Sequence, residues 1–145
     1  MRNQINKLSV SVALATYNGE KYIEEQLNSL LSQTHLPDEI VISDNGSTDN
    51  TTNICERVLS QSSIKYKIIN CQEKGVAANF ENAAKRCYCD LIFFCDQDDI
   101  WYSDKIQLFL GNFEKDSKCV LVFSDANMSI SGNCSLIRKL FQNKI

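Results

Sequence analysis

The sequence predicts an α/β fold: a Rossmann-like, doubly wound, mostly parallel sheet. Short β-rich apolar runs alternate with segments whose apolar residues repeat at helical spacing. The elements are joined by short turns, an order that implies parallel strands and right-handed crossovers. The run Leu91 to Cys95 is continuously apolar. That is the pattern of a strand buried on both faces, which lacks the polar alternation of a half-exposed one.

Residues 8–15 read as the first strand, broken by Thr16-Tyr17-Asn18-Gly19. A helix follows over about 20–32, with Ile23, Leu27, Leu30 and Leu31 at helical spacing, and Pro37 stops any continuation. Residues 39–43 are the second strand, centred on Ile40, Val41 and Ile42. Asp44 to Asp49 is a turn leading into a helix over roughly 50–59. Ser47 or Thr48 is its expected cap, and Asp49 suits the positive end of the helix dipole. The third strand covers 66–69, Glu73-Lys74-Gly75 is a turn, and 76–86 is an Ala-rich helix. The fourth strand covers 90–95, a helix follows at 103–113, and a fifth strand is expected at 120–123, ended by Ser124 to Asn127. Ser131-Gly132-Asn133 reads as a turn and 135–142 as a short basic helix. Residues 1–126 therefore form one domain, and 127–145 a short tail.

A chain of 145 residues builds one domain with a real core, and its 43% hydrophobic and 23% charged residues are those of an ordinary globular protein. A net charge of −3 and a pI near 5.1 give no electrostatic footprint for nucleic acid, and none is expected as a partner. Seven cysteines, several inside apolar runs and none in a Cys-x-x-Cys pair, read as buried reduced thiols of a cytoplasmic protein. A zinc site needs paired spacings and more than the single His35. No apolar run approaches the roughly 20 residues of a membrane span, and no signal-peptide core follows Met1.

Chemistry concentrates at the end of the fourth strand. Asp96, Asp98 and Asp99 stand within four residues, followed by Trp101 and Tyr102. Ligands of open α/β sheets bind beyond the carboxyl ends of the strands, so these carboxylates lie at the mouth of a crevice. Asp-x-Asp sets two carboxylates on one side of an extended segment. That suits a hard divalent cation, Mg²⁺ or Mn²⁺, shared with a phosphate. Other acidic or phosphate-binding motifs fit less well. An EF-hand loop from Asp96 needs Gly at Trp101 and Glu at Gln107. The Gly-Lys-Ser/Thr phosphate loop and Gly-x-Gly-x-x-Gly are absent.

Three segments, each ending a predicted strand and occurring in order, carry a resemblance: Val12 to Asn18, Asp44 to Asp49, and Asp96-Gln97-Asp98-Asp99. Together they resemble a family 2 glycosyltransferase of the GT-A nucleotide-sugar-binding fold, over about residues 9–126. Phe94-Cys95-Asp96-Gln97-Asp98-Asp99-Ile100-Trp101 looks most like the rhamnosyltransferase-type members of bacterial surface-polysaccharide synthesis. The resemblance implies an inverting transferase. Its donor is a UDP- or dTDP-linked sugar, and its acceptor is a saccharide or a lipid-linked glycan at the inner face of the cell membrane. It implies that Asp98 holds the metal, with Asp96 reaching the ribose or the metal's water shell. Asp44 is expected to accept a base N–H. Thr16 and Tyr17 line the base pocket, and Ala15 keeps its wall thin. Lys74 meets a phosphate, and Gly75 and Asn79 lie near nucleotide and sugar.

In the family the general base is a carboxylate of the second half of the domain. Here no Asp or Glu follows Asp125, and Asp125 itself does not match the family's base motif, so the general base is expected to be absent, with Asp125 as the remaining candidate. The acceptor-binding half is expected to be missing, leaving an edge and a face open to self-association. Two readings follow: the donor-binding half of an active transferase, or a catalytically incompetent fragment that holds nucleotide and metal without transferring anything. A third, an interaction domain without nucleotide, predicts that replacing Asp98 changes no ligand binding.

Overall fold

In the computed structural model, residues 7–124, 126, 128–130 and 133–135 are described. The chain divides into two compact units, Met1–Leu110 and Gly111–Ile145. The first holds β1 (Val10–Thr16), α1 (Ile23–Leu31), β2 (Glu39–Asp44), α2 (Thr51–Leu59), β3 (Lys65–Asn70), α3 (Val76–Ala84) and β4 (Leu91–Asp96). The helix α4 (Lys105–Lys115) begins in this unit and ends in the second. The second unit carries a two-stranded antiparallel ladder, β5 (Met128–Ile130) against β6 (Asn133–Ser135).

The sheet of the first unit has the order β3-β2-β1-β4 and is parallel throughout. The chain winds outward from β1 to β3, then α3 returns it to the other side of β1. The reversal of winding lies between β1 and β4. The register sets Thr16 beside Asp44 and Ala15 beside Asp96, so three strands end at one level.

Alternate residues of each strand serve opposite faces. One face of β1 carries Val10, Val12 and Leu14. With Ile40, Ile42, Phe93 and Cys95 they form the main core under α1, α2 and the start of α4. Ile23, Leu27 and Leu30 close it from α1, and Leu59 from α2. Each such side chain, fully buried, contributes about 1.5–3 kcal/mol. On the opposite face a smaller cluster of Ala13, Val41 and Ala83 lies under α3. The small residues there let α3 sit close to the sheet. Beyond α3 this face is open: Ile92 is 40% and Phe94 59% exposed, with Phe94 edge-on to Phe80 at 5.6 Å.

The predicted strands and helices of residues 8–96 form, with no end shifted by more than three residues. The expected fifth strand does not. Residues 120–123 adopt no strand, and Val120, Leu121 and Phe123 are 92%, 74% and 73% exposed. Apolarity and β propensity make a strand only where a neighbour supplies hydrogen-bond partners. The expected turn at 131–133 falls in part, and the helix at 135–142 almost wholly, outside the described residues. Cys55, Cys71, Cys87, Cys89, Cys95 and Cys119 are free thiols. Burial pushes Cys55 up to about 12. Among the described residues no helix is long and apolar enough to cross a membrane.

Candidate functional site

The site is built from loops at the carboxyl ends of β1, β2, β3 and β4. Thr16 and Asp44, the last residues of β1 and β2, are both buried. The Thr16 hydroxyl donates to Asp44 Oδ1 at 2.9 Å. Ser47 Oγ donates to the same oxygen at 2.5 Å. Asp44 Oδ2 accepts the backbone N–H groups of Gly46 at 3.1 Å and Ser47 at 2.8 Å. The carboxylate thereby folds its own loop, a turn in which Gly46 takes a positive φ of 83°. Ser47 is consequently not the cap of α2, and neither is Thr48. The cap position is Asn50, whose side chain makes no capping bond. Ser47 Oγ is committed to Asp44 and accepts the Asn18 N–H at 2.8 Å, while Thr48 donates its N–H to Asn18 Oδ1 at 2.8 Å. Asp49 accepts the Thr51 hydroxyl and N–H and the Glu20 N–H. Burial alone would raise its pKa, but these bonds outweigh it and the net shift is downward.

A second set of bonds joins β1 to β4. Gln97 accepts the Tyr17 N–H at 2.9 Å and donates to the Tyr17 carbonyl at 3.2 Å. This leaves the Tyr17 ring exposed at the rim. Asn79 of α3 donates to the Thr16 carbonyl at 3.0 Å. Its Oδ1 is buried and has no hydrogen-bond partner among the described residues. Ala15, also buried, pairs with Ser43 and Asp96 across the sheet. Asn45 secures the loop after β3. It donates to the carbonyls of Cys71 at 3.0 Å and Glu73 at 2.7 Å and accepts the Gly75 N–H at 3.2 Å. Gly75 caps α3 with a φ of 114°, a conformation that excludes most side chains. Lys74, beside it, is exposed.

The sequence motifs pointed to Thr16, Tyr17, Asp44, Asn79 and Asp96, and the fold brings these to the same end of the sheet. Lys74 and Gly75 stand on the adjoining loop. Gln97, Asn45 and Asn18 were not anticipated. Their only trace in the sequence is position: each is an amide side chain inside a strand-end segment.

Asp96, Asp98 and Asp99 are exposed at the mouth. The strand end still withdraws enough water to raise the Asp96 pKa, with Asp99 and Asp98 adding to the effect. These carboxylates repel one another, and a cation relieves that repulsion. Among the described residues no three His, Cys, Asp or Glu side chains form a ready cage. An ion held there would have to take its remaining ligands from phosphate and water, as Mg²⁺ commonly does. Lys105, half-buried behind the loop, places Nζ 4.2 Å from the centre of the Trp101 ring, and burial lowers its pKa. Asp125 lies outside the described residues.

A parallel α/β sheet with exposed carboxylates at the strand end where its winding reverses defines a class of ligand-binding domain rather than one activity. The particular family comes from comparison. Residues 11–142 match the family model of Glycosyl transferase family 2, and the chain belongs to that family. It is 46% identical over 120 residues to the dTDP-rhamnosyl transferase RfbG of Shigella flexneri, an alignment covering 79% of this chain and 38% of that protein. It is 31% identical over 131 residues to the UDP-Glc:alpha-D-GlcNAc-diphosphoundecaprenol beta-1,3-glucosyltransferase WfgD of Escherichia coli, covering 90% and 49%. Among solved structures it resembles S. aureus TarS 1-349 in complex with UDP, with a TM-score of 0.67 and 29% identity over 74% of this chain and 32% of that one. The mannosyltransferase PcManGT of Pyrobaculum calidifontis, in complex with GDP-Man and Mn²⁺, gives 0.64 and 25% over 70% and 31%. The chain spans less than half the length of the curated relatives it matches, from 18% to 49%.

Proposed function

We propose that this chain binds a nucleoside-diphosphate sugar, UDP- or dTDP-linked, for an inverting transfer of the sugar to a saccharide or lipid-linked acceptor in bacterial surface-polysaccharide synthesis. The observation that carries the proposal is the shared level of three strand ends. Register sets Thr16 against Asp44 and Ala15 against Asp96, so the three family segments lie at one end of the sheet. The dTDP-rhamnosyl transferase relative supports a dTDP donor, and the UDP complex of the TarS structure supports a UDP donor.

In this reading Ala15, Thr16 and Tyr17 form the wall that receives the base. Asp44 shapes that wall through the four hydrogen bonds it accepts. A carboxylate has about four acceptor sites, so accepting a base N–H requires rotating the Ser47 hydroxyl away. Asn79 Oδ1 offers an unfilled acceptor on the neighbouring helix. Asp98 and Asp96 would hold Mg²⁺ or Mn²⁺, whose charge offsets that developing on the departing diphosphate. Lys74 and the Gly75 backbone face the phosphates and sugar from the loop after β3. Asp125 is the candidate to take the acceptor's proton. Reduced thiols support a cytoplasmic setting, and a lipid-linked acceptor would bring the protein to the inner face of the membrane.

The test is calorimetric titration of UDP and dTDP with Mn²⁺ or Mg²⁺ into the wild-type chain and Asp98→Ala. The expected result is metal-dependent binding that weakens about tenfold or more in the variant, the equivalent of about 1.4 kcal/mol. Folded wild-type protein that binds neither nucleotide would remove the proposal. Binding without sugar transfer to any acceptor would leave the chain a donor-binding module.

A further inference from the structure

The helix α1 buries polar side chains where apolar ones would suffice. Gln26 is fully buried, and Ser29 and, just beyond the helix, Gln33 are nearly so. Burying an amide or hydroxyl costs about 1–3 kcal/mol unless it is hydrogen-bonded. The bonds these side chains make explain their presence, and they converge on one segment.

Gln26 Nε2 reaches Cys95 Sγ at 2.7 Å. Ser29 Oγ donates to the Gln26 carbonyl at 2.7 Å and accepts the Trp101 N–H at 3.1 Å. Gln33 Nε2 donates to the carbonyls of Ser29 at 3.1 Å and Tyr102 at 2.8 Å, while its Oε1 accepts the Ile106 N–H at 3.2 Å. The adjacent Thr34 N–H donates to the Ser103 carbonyl at 2.7 Å. Every target outside α1 lies on the stretch from the end of β4 to the start of α4. From the front the same stretch is held at Gln97 by the Tyr17 backbone. Between the Gln97 and Trp101 anchors lie residues 98–100, which are exposed.

We infer that Ser29 and Gln33 are positioning residues for the acidic loop: α1 fixes the path of residues 97–102 from behind, so that Asp96 and Asp98 stand ready for a divalent cation and a diphosphate. This rests on the function proposed above. The alternative is that the polar stripe merely satisfies buried backbone groups and stabilises the domain as a whole.

Two measurements on the full chain test it, using Ser29→Ala and, should either variant fold poorly, Gln33→Met as the second. The first needs no ligand. Amide hydrogen exchange at residues 98–102 should accelerate about tenfold in the variants with β1 and β2 unchanged, since local opening reports local anchoring. Unchanged exchange in the loop, or acceleration spread evenly over the sheet, overturns the inference. The second is titration with Mn²⁺ plus UDP or dTDP, alongside uridine or thymidine without metal. Metal-dependent affinity should fall about tenfold, as it does when groups supporting metal ligands are lost, while nucleoside binding holds. Equal weakening of both overturns the positioning role. If wild type binds no nucleoside diphosphate, the inference fails with the function reading, and the exchange data separate the causes. A loosened loop then points to the function reading, and an unchanged loop to the anchoring itself.

Discussion

Asp44 gives the residue-scale logic of the site. Its carboxylate accepts two hydroxyls and two backbone N–H groups, and so joins β1, β2 and the loop between β2 and α2. Asp44→Asn keeps the shape but replaces one acceptor oxygen by a donor, leaving a buried N–H or hydroxyl unpaired. The expected cost is about 1–3 kcal/mol, measured by urea denaturation, with weaker nucleotide binding besides. Asp90 plays a comparable part at the opposite end of the sheet. Its Oδ2 accepts the Ser9 N–H at 2.9 Å and hydroxyl at 2.7 Å, and these bonds lower its pKa. A depressed folded-state pKa means stability that is present above the unfolded value and lost as pH falls through the folded one. Wild type should therefore be more stable than Asp90→Asn at neutral pH, and the two should converge in acid. A difference that persists unchanged to the lowest pH would refute the assignment. At this scale the sequence was legible for residues whose chemistry is explicit, the Asp cluster above all. Gln97 and Asn45 were not legible, because an amide announces no partner and theirs lie on distant segments.

At the scale of elements, apolar runs located β1 to β4 and helical spacing located α1 to α3, although β4, expected to be buried on both faces, keeps Ile92 and Phe94 exposed on one of them. The reading overreached at residues 120–123, where an apolar run found no ladder, and at Ser47, whose hydroxyl bonds Asp44 three residues before it instead of capping α2. The strand β2 also hides a feature that periodicity passes over. Glu39 at its start is buried: Oε1 accepts the Ser11 hydroxyl at 2.9 Å, and Oε2 lies 3.0 Å from Nζ of half-exposed Lys67 on β3. Removing one partner of such a pair leaves a buried charge uncompensated. Lys67→Met should cost roughly 3 kcal/mol, and adding Glu39→Gln should restore much of it. Chemical denaturation of the two variants checks this, and an additive double mutant would contradict it.

For the sheet of the first unit, one face is sealed by α1, α2 and the start of α4, whereas among that unit's described residues the other carries α3 alone. Ile92 and Phe94 stay exposed on that second face, beside an edge strand with no neighbour on its outer side among the described residues. Exposed apolar surface next to an unpaired edge favours association. Sedimentation velocity of the isolated chain should show concentration-dependent self-association that Phe94→Ser reduces. A monodisperse monomer up to high concentration would contradict this. The open face was anticipated from the family comparison with the motifs, but its location was not, since which strand lies at the edge depends on where β4 is inserted.

That insertion has a consequence for the newly made chain. β1 is synthesised first yet sits between β2 and β4, and its β4 side is completed only by residues 91–96. At about 5–20 residues per second, ribosomal synthesis leaves that side bare for seconds after β2 has emerged. During the interval the nascent protein presents the flank of a strand that is buried along its whole length in the finished fold, with strand ends that still lack their acidic neighbour. Chaperone engagement and premature pairing between neighbouring chains belong to that window. The site itself is finished late, when Asp96 arrives beside Ala15.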